Sequence, residues 1–297
     1  MQKIQRSNST IYIQIVFLLF LTFSFFSCKT SPPVEKNDFV LVDKKASKPI
    51  KKLHKKLIEI SKRGFAIGHQ DATAYGIGWK HIDSLNIIDS DVNKVIGDFP
   101  AVYGFDIGHI ELDHKSNLDS VDFNTMRGLI IDAHKKGGII TISWHLDNPT
   151  SNGDSWDKTS AVADILTGGQ HRVKYELWVK RAADFLNSLQ YNGENIPIIF
   201  RPFHEMNGGW FWWGESNCTA DDYIQLWQET VKLLRDKHNL HNILYTYSPN
   251  KLNPEDDYLK YYPGDDYVDI LGIDIYDFNN AEDYARSVIN DLITVKK

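Results

Sequence analysis

The sequence predicts an α/β fold of the (β/α)₈ TIM-barrel class, and three observations carry that reading. From about residue 50 onward, short apolar runs alternate with amphipathic segments. Strict alternation of this kind means parallel strands joined by right-handed crossovers, in either an open sheet or a barrel. No G-x-G-x-x-G or Walker loop follows any of the runs, which disfavours the nucleotide-binding open sheets. Long polar and aromatic loops follow the C-terminal ends of the runs, where barrel enzymes carry their chemistry.

The elements follow in order. Lys51, Lys52, Lys55, Lys56, Lys62 and Arg63 alternate with Leu53, Leu57, Ile58 and Ile60, which reads as an amphipathic helix with a solvated basic face. Residues 64–68, with Phe65, Ala66 and Ile67, read as the first strand and residues 101–107 as the second. Residues 123–136 read as a helix capped by Asp122 or Asn124 and stopped at Gly137-Gly138. A short polar side chain accepts the first free amides, and glycine permits the left-handed exit. Residues 139–144 are the third strand, and residues 172–189 a helix with Val173, Leu177, Val179, Ala183 and Leu186 near one face. A fourth strand over 196–200 precedes a helix over 222–237; strands over 243–247 and 268–275 precede a last helix over 281–294.

The N-terminus carries Lys3 and Arg6, then an apolar run over 11–26. This is the charged-then-apolar order of a secretory signal, and the run is shorter than the roughly 20 residues that span a bilayer. Cys28 directly follows Phe25-Phe26-Ser27, which resembles a loose bacterial lipoprotein box in which the Cys thiol is lipidated. Lys29-Thr30-Ser31-Pro32-Pro33 then reads as a polar tether. The expected organisation is a lipoprotein signal peptide over 1–27, a tether over 28–48 and the barrel over 49–297. The expected location is outside the cytoplasm, anchored through Cys28 to a bacterial membrane, taken to be the outer membrane, on its periplasmic or surface face. Cys218 is the only other cysteine, so no disulfide framework is indicated. A formal net charge of −6 offers no footprint for nucleic acid.

The most informative stretch is Ile198-Ile199-Phe200-Arg201-Pro202-Phe203-His204-Glu205-Met206-Asn207-Gly208-Gly209-Trp210-Phe211-Trp212-Trp213-Gly214. An apolar strand ends in Arg-Pro, presents His and Glu, and runs into a Gly-rich turn with three Trp. A carboxylic acid beside flat rings suits glycosidic cleavage, since the acid protonates the leaving oxygen while rings stack on the apolar faces of sugars. Ser143-Trp144-His145 with Asn148 ends the third strand, and Trp156 occupies the loop that follows; a large ring in a loop reads as a sugar-stacking surface. Tyr276 ends the sixth strand after Asp274, and its phenol could hold a carboxylate in place. His69-Gln70-Asp71 and Phe105-Asp106-Ile107-Gly108-His109 add polar groups at the same strand ends, with no role assigned. Four strand-end histidines, His69, His109, His145 and His204, raise a metal-dependent barrel hydrolase as a competing reading. The paired His of such barrels is missing from the first strand and no H-E-x-x-H occurs, so no metal and no cofactor are expected.

The segment Arg201-Pro202-Phe203-His204-Glu205-Met206-Asn207-Gly208, with Trp210-Phe211-Trp212-Trp213-Gly214, resembles glycoside hydrolase family 26. So do Gly68-His69-Gln70, Tyr103-Gly104-Phe105-Asp106, Ser143-Trp144-His145 and Gly272-Ile273-Asp274-Ile275-Tyr276. The resemblance covers roughly residues 60–280. It implies a (β/α)₈ barrel, retention of configuration, no metal, and an endo-β-1,4-mannanase acting on mannan, galactomannan or glucomannan; lichenan and β-1,3-xylan are the alternative glycans of the family. By motif position, Glu205 is implied as the general acid/base. His204 is implied to touch the sugar and steady the nucleophile, and Tyr276 to bond that nucleophile. His145, Trp156 and Trp210 are implied as walls of the substrate cleft, and Arg201 as a positive support beneath it.

The family's nucleophilic Glu stands at the end of the seventh strand. The sequence ends at Lys297, inside or just after the sixth helix. Six β/α units in this span imply that eight would need roughly 330 residues, ordinary for a decorated barrel. The expectation is therefore a C-terminally incomplete barrel that lacks its nucleophile. A non-catalytic glycan-binding lipoprotein is the competing function.

Overall fold

A computed structural model describes residues 40–81, 89–252, 258–276 and 286. Its central feature among those residues is a six-stranded sheet: β1 (Gly68–Gln70), β2 (Val102–Asp106), β3 (Ile139–Trp144), β4 (Ile198–Pro202), β5 (Ile243–Tyr247) and β6 (Ile270–Leu271). The strands lie in chain order from β1 to β6, and every neighbouring pair is parallel. That order separates the two topologies left open by alternation. A doubly wound sheet reverses direction at a switch point, whereas a barrel adds each strand to the one before.

β2, β3 and β5 are buried nearly throughout, as expected of parallel strands covered on both faces. Predicted bounds for β3 and β5 match the observed ones. The first strand does not. Phe65 and Ile67 are 84% and 67% exposed, and pairing begins only at Gly68. The sixth is also shorter than expected, with ladder pairing confined to Ile270 and Leu271 and an isolated bridge from Asn250 to Asp274.

The helices cover the sheet. Ser47 caps α1 (Lys48–Ser61), which buries Ile50 and Leu53 beside Ile139 and Leu244 and leaves its lysines in solvent. A short α2 (Asp91–Ile96) has no counterpart in the sequence reading. α3 (Phe123–Lys135) starts on Asp122, whose carboxylate accepts the amides of Asn124 and Thr125. A four-residue α4 (Val162–Ile165) precedes α5 (Arg172–Ser188). α5 is rotated from the expected face: Tyr175, Trp178, Val179, Ala182, Ala183, Phe185 and Leu186 are buried, while Val173 and Leu177 are exposed. Aromatic bulk at 175, 178 and 185 outweighs two aliphatic residues in choosing the side that leaves water. α6 (Ala220–Lys232), capped by Thr219, runs into a π-helical turn over Leu233–Lys237. Of the last helix expected, over 281–294, only Arg286 is described, and it is helical; the expected signal and lipidation segments lie outside the described residues.

The predicted tether is too long at its C-terminal end. Val42 is buried and donates its amide to Asp269, and Ser47 donates to the carbonyl of His241, so the folded body starts at Leu41. A groove of about 550 Å³ lies where β3 and β4 begin, lined by Lys48, Lys52, Lys56, Tyr191 and Pro197 among others. It is at the opposite strand ends from the residues singled out for chemistry.

Candidate active site

β4 ends at Pro202, and the chain then turns through two left-handed residues, Phe203 at φ 47° and Glu205 at φ 57°. Neither residue type favours that region, which costs on the order of 1–3 kcal/mol each. The surroundings hold the turn in place. Tyr223 donates its hydroxyl to the carbonyl of Phe203 at 2.8 Å, Trp213 its indole N–H to the carbonyl of His204 at 2.9 Å, and Glu205 its amide to the carbonyl of Ser248 at 2.8 Å.

This explains the tryptophan cluster, two of whose rings are structural. Trp212 and Trp213 have no exposed surface. Their N–H groups satisfy the carbonyls of Leu146 and His204, as buried indoles require. Phe211 stacks on Trp213 with ring centres 4.4 Å apart.

The turn delivers Glu205 into a nearly closed setting, with 5% of its surface exposed. Each carboxyl oxygen has one donor: Tyr276 Oη to Oε1 at 2.6 Å and Trp210 Nε1 to Oε2 at 2.9 Å. Trp210 is half-buried, and its ring folds back over Gly208, where a Cβ would sit 2.1 Å from the indole. The ring expected to be an exposed wall is thus tied to the acid itself. Tyr276, which the resemblance assigned to the nucleophile, donates its hydroxyl to Glu205. A polar cleft of about 220 Å³ adjoins Trp210 and is also lined by Asn207, Asn250, Lys251 and Tyr258.

Arg201 is held by an acid, which a hydroxyl also meets. Its Nη1 meets Asp274 Oδ2 at 2.7 Å, and Ser248 Oγ donates to the same oxygen at 3.0 Å. Burial pushes the Asp274 carboxyl up to about 6; Arg201 opposes this and the charge of Glu205 adds to it.

A second line of contacts runs from β2 to the cleft. Asp106 Oδ2 accepts from Ser143 Oγ at 2.6 Å and meets His145 Nδ1 at 2.7 Å, while Oδ1 accepts the amide of Gly108 at 2.7 Å. Burial alone would raise the Asp106 carboxyl. The contacts with His145, Ser143 and Gly108 outweigh it and hold the group below the ordinary carboxylate range. His145 Nε2 lies 3.1 Å from His204 Nε2. His204 is held well below the usual histidine range by burial first, then by the charges of Arg201 and His145. Trp156 is 47% exposed and lies nearly parallel to the His145 ring, 5.5 Å between centres and 16° apart.

Of the four strand-end histidines, only His145 and His204 meet. His109 stands 3.7 Å from Asp147 and edge-on to His114, and His69 lies on exposed β1. Among the described residues no group of three or more His, Cys, Asp or Glu is placed to hold a metal ion.

With this geometry in place, the family comparison is decisive: the Glycosyl hydrolase family 26 model matches residues 42–296. The chain belongs to this family. The expected fold class holds with it, since solved family 26 structures superpose on the sheet and helices described above. The GH26 β-mannanase from Bacteroides ovatus aligns at a TM-score of 0.77 and 41% identity, over 83% of this chain and 71% of that one. A GH26 endo-β-1,4-mannanase catalytic domain from Bacillus sp. JAMB-750 aligns at 0.78 and 36%, over 86% and 69%. Among curated relatives, a mannan endo-1,4-β-mannosidase from Bifidobacterium adolescentis is 35% identical over 86% of this chain, and one from Bacillus subtilis is 32% identical over 75%. The chain spans 26% and 62% of the lengths of those two proteins.

For this family 26 chain, sequence reasoning missed Asp106 as the anchor of His145, Ser248 as the support of Glu205 and Asp274, and Phe211 as the ring behind both histidines. A signal for Asp106 existed. An acid inside a strand covered on both faces must be met by donors, and the register pairs Asp106 with Ser143, one residue before Trp144-His145.

Proposed function

We propose that this chain is the catalytic region of a retaining endo-β-1,4-mannanase, with Glu205 as general acid/base. The observation that carries the reading is the buried Glu205 carboxyl on its left-handed turn, with a separate donor on each oxygen. The two donors are not equivalent. An indole N–H can only donate, so Oε2 remains an acceptor. A phenol can also accept, so the proton of the acid form belongs on Oε1, with Tyr276 turned to receive it. From there it passes to the leaving oxygen, and the carboxylate then draws a proton from the incoming water.

A retaining pair needs a second carboxyl about 5–5.5 Å away as nucleophile. The described acids near the cleft are engaged elsewhere: Asp274 by Arg201 and Ser248, Asp106 by Ser143 and His145, and Glu111 by Trp144 and the Asp147 amide. The exposed ring of Trp156 suits the apolar face of a sugar, and the polar cleft beside Trp210 has room for a sugar unit on the leaving side. Mannan, galactomannan or glucomannan is the substrate favoured, in keeping with the mannanase names of the relatives. We further propose export and anchoring through a lipid on Cys28, on the order of charged, apolar and cysteine residues at the N-terminus.

The test is reducing-sugar release from galactomannan and glucomannan by the product of the complete coding region, with Glu205→Gln as control. Release that survives a chelator and collapses in the variant supports the proposal. Tight manno-oligosaccharide binding with no release would replace it with a glycan-binding function.

A further inference from the structure

We propose that the floor of the barrel, the outer face of α1, rests on an anionic lipid surface and so turns the cleft away from it. The choice of a membrane among polyanions rests on the proposed anchoring through Cys28; the charge of the floor does not.

The placement comes from packing. Ile50 and Leu53 of α1 share one apolar cluster with Val102, Ile139, Ile199, Leu244 and Ile270. Each of those five is the first or second residue of its strand, from β2 to β6. α1 therefore lies across the end where the strands begin, and its other side looks outward. Glu205 and His145 follow the C-terminal ends of β4 and β3, so floor and cleft face opposite ways. Lys48, Lys51, Lys52, Lys55, Lys56 and Lys62 fall on the outward arc of the helix, and all are exposed.

That arc works against the helix. Lys48–Lys52, Lys51–Lys55 and Lys52–Lys56 are like charges one turn apart, a spacing that weakens a helix. The first turn, where the helix dipole favours acids, holds none. From Lys44 to Arg63 there are nine cations and one acid, in a chain whose net charge is −6. The acid, Glu59, is taken by Lys62 at 3.0 Å. A face kept only for solubility mixes both signs. An anionic partner turns the same repulsion into attraction.

Three features favour lipid headgroups as that partner. Eight of the nine cations are lysines, mobile point charges suited to a diffuse field, whereas arginine makes the fixed bidentate clamps on single phosphates. The apolar side of α1 is committed to the core, so the contact is made at the surface without insertion. Twelve residues separate Cys28 from Leu41, and a coil of that length spans about 20 Å on average and at most about 45 Å. A lipid on Cys28 keeps the body near enough for tumbling to bring the floor within the Debye length of the headgroups, about 8 Å. The attraction then fixes an orientation that a flexible tether leaves free, with the cleft open to polymer on the far side.

The test is flotation of the product of the complete coding region carrying Cys28→Ser, which has no lipid of its own, with vesicles of phosphatidylcholine alone or mixed with phosphatidylglycerol. At about 0.15 M salt the anionic vesicles should be bound at least about 100-fold more tightly, and about 1 M salt, where the Debye length is about 3 Å, should erase the preference. Combining Lys51→Gln, Lys52→Gln and Lys55→Gln should lower the affinity for anionic vesicles about 100-fold, at about fivefold per lysine near the surface, without lowering the melting temperature. On those vesicles an amine-acetylating reagent should spare Lys51, Lys52 and Lys55 and still reach the exposed Lys251 beside the cleft. Equal binding to both vesicles, a preference that survives in the triple variant, or protection of Lys251 in place of the floor lysines overturns the proposal. So does retention on heparin without preference for anionic vesicles, which makes the partner a soluble acidic polymer. None of these results depends on lipidation of Cys28. That reading fails separately, if the Cys28→Ser protein stays in the membrane fraction of its host after a high-salt wash that releases the floor.

Discussion

Glu111 makes the stability of this protein depend on pH in a direction opposite to most acids. Its side chain is fully buried, with Trp144 Nε1 donating to one oxygen at 2.9 Å and the Asp147 amide to the other at 2.8 Å. Burial nevertheless dominates and pushes the carboxyl up to about 7, against 4.5 for the free group. The folded protein therefore holds a proton that the unfolded chain releases near 4.5. The stabilisation is complete below that pH, declines as pH rises, and is gone once the folded group ionises above about 7. Across this window the loss is about 3 kcal/mol. In Glu111→Gln nothing titrates at this site. The amide oxygen can serve one donor while the NH₂ faces the other, a cost of about 1–3 kcal/mol that does not change with pH. Asp71, also raised to about 7 by burial, is present in both proteins and cancels in their difference. Urea denaturation at about pH 4, 6 and 8 should show the advantage of wild type over the variant shrinking by about 3 kcal/mol. A difference that stays constant to within about 0.5 kcal/mol would refute the reasoning.

Other perturbations separate packing from chemistry. Trp213→Ala should destabilise the fold by about 3–5 kcal/mol in urea melts, because the ring is fully buried and caps the His204 carbonyl. Trp156→Ala should leave the melting temperature within about 2 °C of wild type and weaken manno-oligosaccharide binding by about 1–3 kcal/mol in calorimetry. Trp210→Phe keeps a ring but removes the N–H on Glu205; turnover on galactomannan should fall about 10- to 100-fold, the value of a hydrogen bond to a charged group, with affinity little changed. Cys28→Ser should move the protein from the membrane to the soluble fraction of its host, and persistent membrane binding would make the apolar run over 11–26 a retained anchor.

Much of the fold was legible because buried parallel strands are written as unbroken apolar runs. Ile139–Trp144 and Ile243–Tyr247 are of that kind. Phe65-Ala66-Ile67 has the same composition and is exposed, since composition reports the tendency to pair and not whether a partner lies alongside. In α5, aliphatic spacing suggested one face and the larger aromatic rings took another. The site was legible at Glu205, His204 and Arg201, which share one short segment. The use made of Trp212 and Trp213 was not, because a Gly-flanked run of rings reads the same whether the rings line a cleft or serve backbone carbonyls beneath it. Asp106 was legible as a buried acid in need of donors, whereas its partners Ser143 and His145 were not, since they come from the neighbouring strand and the loop after it.

The cleft is assembled from two halves that draw on different parts of the chain. Glu205 is held by its own turn through Trp210, by Ser248 after β5 and by Tyr276 after β6. The Trp156–His145 wall is held from β2 and β3 through Asp106. The halves meet at the contact between His145 and His204 and at the ring of Phe211, which lies edge-on to both. The halves are not independent: Ser155, beside Trp156, accepts the amide of Trp212 at 3.2 Å, and the Trp156 ring lies 5.5 Å from that of Phe211. A change in the loop that carries Trp156 therefore reaches the turn that carries Glu205, and on the proposed reading the grip on the glycan and its protonation are tuned together.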